Sequence, residues 1–131
     1  MSVHGGRSVG LIGLGLVGRA LAARLQAAGF EVLGYDKSPQ AMDAFEGMAT
    51  AEAMRAKRIV LAVFDTPDVE QIAAEATPDF FIDCTTGDPA RIESLAKSLA
   101  AKGIGYVEAP LSGSSEAIRR GEATMFVGGD A

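Results

Sequence analysis

The sequence predicts an α/β domain built on an open, doubly wound, mostly parallel sheet. Three observations predict it. Strand-like and helix-like segments alternate along the chain, which implies parallel strands joined by right-handed crossovers. The strands are nearly continuous in apolar residues, as expected where helices cover both sheet faces. Glycines at 13, 15 and 18 directly follow the first of these strands and open a helix.

The elements follow in order. "SVGLIG" (8–13), "EVLGY" (31–35), "RIVLAVF" (58–64) and "DFFIDC" (79–84) read as buried strands, and "GYVEA" (105–109) and "ATMFVG" (123–128) as weaker ones. Between the first two, Val17, Ala20, Leu21, Arg24, Leu25 and Ala28 fall on one helical face. Arg24 can pack its stem there while its charge stays wet. Gly29 stops this helix because it tolerates a left-handed backbone. From Pro89 to Lys102, Ile92, Leu95, Ala96 and Leu99 repeat at helical spacing, and Gly103 ends the run. Pro67 and Pro89 suit first turns, where a missing N–H costs nothing. The crossovers through 41–57 and after Phe64 are compact, so one or two peripheral helices should be short.

Composition narrows the class. The chain has 131 residues, enough for one domain with one core. We expect residues 1–7 to be a frayed tail and 8–131 the domain. "MSVHGGR" lacks the apolar centre of a secretion signal, and His4 within it reads as inert. At 48% apolar residues, the composition argues against disorder. No apolar run approaches the roughly 20 residues of a membrane span. The net charge of −5 argues against a nucleic-acid surface. The lone Cys84 fits a reducing, cytoplasmic compartment.

The glycine spacing raises the first functional reading. G-x-G-x-x-G between a strand and a helix, with Asp36 closing the next strand 23 residues after Gly13, is the context of a dinucleotide-binding (Rossmann) loop. Gly13 permits the turn, Gly15 lets backbone approach a pyrophosphate, and Gly18 lets helix and sheet pack closely. Free amides at the helix start would then bind phosphate. Asp36 would accept a ribose 2′-hydroxyl and repel a 2′-phosphate, favouring NAD over NADP; Lys37 beside it weakens that preference.

A second stretch, "YVEAPLSGSSEAIRRGEATMFVGGD" (106–130), joins a strand end, a serine–glycine loop, a short helix ending at Gly121 and a strand. Its loop could cradle a carboxylate, or Ser112, Ser114 or Ser115 could simply cap the helix. Asp65, Asp68 and Glu70 around Pro67 could likewise only complement a helix start, and Arg119 and Arg120 suit a helix end.

Three motifs in order resemble the β-hydroxyacid dehydrogenases, a family that includes 3-hydroxyisobutyrate dehydrogenase, tartronate semialdehyde reductase and, more distantly, 6-phosphogluconate dehydrogenase. "GLGLVG" (13–18) matches G-L-G-x-M-G, with Val17 for Met. "DCTTGDP" (83–89) matches D-x-S-T-x-x-P, with Thr85 for Ser. "EAPLSGS" (108–114) matches D-A-P-V-S-G-G, with Ser114 for the usual Gly. The resemblance runs from Ser8 to Asp130.

The resemblance implies hydride transfer between a nicotinamide cofactor and a small β-hydroxyacid. It assigns Gly13, Leu14, Gly15, Leu16, Val17, Gly18, Asp36 and Lys37 to the cofactor. Phe64 and Asp65 would line it, and Thr86 would lie near the nicotinamide half. By their own sequence context alone, Phe64 reads as core and Thr86 as a turn cap. Ser112, Gly113 and Ser114 match the loop that binds the substrate carboxylate; a side chain at Ser114 would reshape that pocket. The family's proton-moving lysine is expected beyond residue 131, since Lys37, Lys57, Lys97 and Lys102 lack its G-x-x-G-x-G-x-x-x-K context. No catalytic residue and no metal ligand is therefore assigned. We expect an amino-terminal cofactor domain, inactive alone, that self-associates through exposed apolar surface. The alternatives are a stand-alone dinucleotide-binding module without catalysis, or the amino-terminal half of an imine-reducing relative.

Overall fold

The computed structural model describes residues 7–129. Residues 1–6 of the expected tail lie outside them. Arg7 does not belong to that tail. Its guanidinium donates to the carbonyls of Gly29 at 3.0 Å and Ala28 at 2.6 Å and lies over the Phe30 ring. It thereby satisfies carbonyls left open at a helix end.

In chain order the elements are β1 (Ser8–Ile12), α1 (Leu16–Ala27), β2 (Glu31–Tyr35), α2 (Pro39–Ala44), β3 (Met48–Ala49), a 3-10 turn (Ala51–Arg55), β4 (Arg58–Leu61), α3 (Thr66–Glu75) and β5 (Phe80–Asp83). α4 (Pro89–Ala101), β6 (Gly105–Glu108), β7 (Leu111–Ser112), α5 (Ser115–Arg120), β8 (Thr124–Met125) and β9 (Gly128–Gly129) follow. The main sheet has the order β3-β2-β1-β4-β5-β6-β9. Its first six strands run parallel, and β9 closes the edge antiparallel to β6. This is the doubly wound α/β sheet that the alternation predicts.

The core sits on both faces, as a parallel sheet requires. On one, Leu33, Ile59 and Phe81 pack with Val69 of α3 and Leu99 of α4. On the other, Val9, Leu11 and Val32 pack with Ala20 and Leu21 of α1 and Ile118 of α5. Leu11, Leu33 and Phe81 are fully buried, each contributing about 1.5–3 kcal/mol. α2 is short, at six residues. α1, α4 and α5 give way to Gly29, Gly103 and Gly121, all in the left-handed region.

Two expectations need correction. The buried stripe of α1 is Gly18, Ala20, Leu21 and Ala22, while Val17, Arg24 and Ala28 are exposed. α5 packs beside α1 as well as against the sheet. Residues 123–128 do not form one buried strand. Thr124–Met125 pairs with β7 and Gly128–Gly129 with β6, leaving Phe126 and Val127 exposed between two sheets. An apolar run is ambiguous at a sheet edge, where only pairing decides which residues are covered.

Candidate functional site: the cleft at the sheet's switch point

Strand order reverses between β1 and β4, and ligands of open α/β sheets bind in the crevice at such a point. Here the loops after β1, β2 and β4 border a cleft of about 510 Å³. The glycine loop forms one wall, Asp36 and Lys37 the second, and Phe64 with Asp68 of α3 the third.

The three glycines do different work. Gly13 has φ +107°, and a Cβ there would drive into the Ala62 carbonyl. At Gly18 it would drive into the Gly13 carbonyl. Both therefore serve close packing. Gly15 differs: an added Cβ would meet no protein atom within 4 Å, and the residue lines the cleft. It is also the N-cap of α1, with no side chain capping the turn; the first backbone bond runs from Arg19 N–H to the Gly15 carbonyl at 2.9 Å. α2, α3, α4 and α5 are capped by Ser38, Asp65, Asp88 and Ser114. The α1 amides thus face the cleft with the positive end of the helix dipole behind them.

The acid is held from two sides. Asp36 Oδ2 accepts the Leu14 N–H at 2.8 Å, and Oδ1 accepts the Ser38 N–H at 2.8 Å. The Leu14 side chain is buried, so only its backbone faces the loop. Beside Asp36, the Lys37 ammonium pairs with Asp68 at 3.0 Å. That hydrogen bond and charge hold the ammonium above its ordinary pKa.

The remaining candidates separate. Phe64 is 89% exposed and lines the cleft, which excludes the core reading. Asp65 caps α3, accepting from Asp68 N–H at 3.2 Å, and is not among the lining residues. Thr86 is exposed after β5, also outside the lining. Its neighbour Thr85 is buried and accepts the Val63 N–H at 3.1 Å. Ser114 caps α5, accepting from Ala117 N–H at 3.1 Å. Ser112 and Gly113 are exposed, with Gly113 at φ +131°. They follow β6 at the same carboxyl edge of the sheet, and α5 after them packs on α1.

Asp83, a motif residue with no assigned role, is fully buried. It accepts from the Tyr106 hydroxyl and, at 2.9 Å, from Thr85 N–H. Burial raises its pKa against those hydrogen bonds. Burial and Asp83 raise that of Tyr106, and burial raises that of Cys84 to about 12. Sequence reasoning also missed Asp68 as a wall of the cleft. Its partner stands 31 positions away, and only the fold joins them. Among the described residues, no group of three or more His, Cys, Asp or Glu could hold a metal, and no helix is long and apolar enough to cross a membrane.

Residues 8–131 match the family described as the NAD binding domain of 6-phosphogluconate dehydrogenase. Among solved structures, Mycobacterium tuberculosis 3-hydroxyisobutyrate dehydrogenase with L-serine superposes with a TM-score of 0.84 at 26% identity, over 95% of this chain and 47% of that one. A Mycobacterium avium 104 protein described as an oxidoreductase gives 0.80 at 30% identity, over 95% and 48%. An imine reductase from Pseudomonas sp. shares the fold, with 0.73 at 22% identity over 85% and 43%. The chain spans about half the length of these structures. No curated protein sequence matches it significantly.

Proposed function

The chain belongs to the family of NAD-binding domains represented in 6-phosphogluconate dehydrogenase, and from that premise we propose that it holds NAD, in preference to NADP, for hydride transfer to or from a small β-hydroxyacid. The observation that carries the reading is Gly15. The one glycine of the loop whose missing Cβ leaves open space stands at an uncapped helix start. A pyrophosphate there would receive the α1 amides, and any side chain at 15 would take its volume.

Asp36 supports the choice of NAD. Its two oxygens are fixed by backbone N–H groups, and the residue lines the cleft. A ribose hydroxyl can donate to them; a 2′-phosphate is repelled. Phe64, after β4, is assigned to the lining of the cofactor, and Thr86, after β5, to its nicotinamide half. Ser112 and Gly113 are assigned to the substrate carboxylate, while Ser114 serves mainly as a cap. The bound nicotinamide supplies the hydride acceptor or donor.

The lysine that would move the hydroxyl proton is placed by this reading outside these residues. Lys37 is paired at the adenosine end, Lys97 pairs with Glu93, and neither Lys57 nor Lys102 lines the cleft. On the same grounds we propose that 8–131 form the cofactor domain of a larger oxidoreductase. Calorimetric titration of the chain with NAD and NADP tests the reading. Saturable binding, tighter for NAD, is expected, and the absence of both heat and thermal shift at millimolar dinucleotide overturns it.

A further inference from the structure

We infer that Asp68 is a specificity-determining residue: by engaging Lys37 across the cleft, it keeps that cation from serving a 2′-phosphate. The inference rests on the reading of the cleft as a dinucleotide site. Lys37 follows the acid that ends β2, the position from which a basic side chain would meet a 2′-phosphate. Its side chain is 77% exposed, long and flexible, so nothing in the packing around it prevents that contact. What occupies it is Asp68, from the first turn of α3 on the opposite wall, 3.0 Å from the ammonium and only 20% exposed itself.

The two acids therefore act in different ways. Asp36 repels a 2′-phosphate directly. Asp68 removes its natural counter-charge, and is the more buried partner of the pair. Asp65 and Asp36 add negative potential around the same ammonium, so a 2′-phosphate arriving at this wall finds three carboxylates and one cation already engaged. A lysine beside the selecting acid thus remains compatible with a site that rejects NADP.

Fluorescence titrations of the full chain with NADH and NADPH test this in wild type, Asp68→Asn, Lys37→Met and the double variant, with thermal melts as the check on folding. Asp68→Asn is expected to raise the NADPH-to-NADH affinity ratio roughly two- to fivefold, the scale of one released surface ion pair. Lys37→Met alone should leave the NADPH-to-NADH ratio near wild type, because the cation is already engaged. In the double variant the NADPH gain should vanish. A gain that persists without Lys37 overturns the inference, because simple removal of a negative charge then explains it. An unchanged ratio in a folded Asp68→Asn also overturns it. Wild-type chain that binds neither dinucleotide overturns the underlying cleft reading, and this inference with it.

Discussion

The carboxylate of Asp36 accepts the amide proton of Leu14 at 2.8 Å, which ties the end of β2 to the glycine loop after β1. One side chain thus both shapes the loop and presents charge to the cleft. These two roles can be separated by substitution. Asp36→Asn keeps one of the two acceptors and loses the charge, so it should cost less stability than removing the side chain while the preference for NAD over NADP narrows. Asp36→Ala loses both and should also destabilise the chain by about 1–3 kcal/mol, the cost of stranding buried or half-buried donors. An unchanged cofactor ratio in both variants would remove Asp36 from the site.

The glycine loop should divide in the same way. Gly15→Ala has a backbone that alanine can adopt (φ −75°) and open space for the methyl group, so stability should change by less than about 0.5 kcal/mol. Dinucleotide binding should weaken about tenfold or more, as a charge-assisted phosphate contact is displaced. Gly18→Ala strikes the Gly13 carbonyl and should cost about 2 kcal/mol or more in stability. Chemical denaturation paired with calorimetry distinguishes these outcomes; a Gly15→Ala chain that binds like wild type would count against phosphate at that position.

Alkaline pH should unfold the chain through β5 and β6. Burial raises the Cys84 thiol from 9.0 to about 12 and raises the Tyr106 phenol above its ordinary 10.0. Both groups hold their protons more tightly folded than unfolded. Their contribution is therefore complete below about pH 9 and is lost as pH rises from 9 towards 12 for the thiol and above 10 for the phenol. Tyrosinate absorbance at the ultraviolet shoulder should rise together with loss of helical circular dichroism, and Tyr106→Phe should remove that coupled component. Cys84 should resist a thiol reagent at neutral pH until denaturant is added.

The serine–glycine loop should respond unequally. Ser114→Ala loses the cap of α5 and should destabilise the chain by about 1 kcal/mol. Ser112→Ala, at an exposed position, should change stability by less than about 0.5 kcal/mol. Equal melting temperatures for the two variants would mean that Ser114 does not hold the helix start.

The sequence by itself determined the sheet, its parallel sense, and the place of the glycine loop. These follow from local rules: apolar runs long enough for strands, glycines where the chain must turn left-handed, and an acid at the end of the second strand. It also held both readings of Ser114, and the cap is the one the geometry engages. Tertiary structure alone decided that Phe64 faces the cleft and not the core, that Leu14 and Asp36 join, that Asp68 reaches Lys37, and that Asp83 is buried under Tyr106. Each is a contact between residues 22 or more positions apart, or a side of a strand end that no periodicity marks. Such contacts depend on how crossovers return the chain to the sheet, so they are fixed only when the whole sheet has formed.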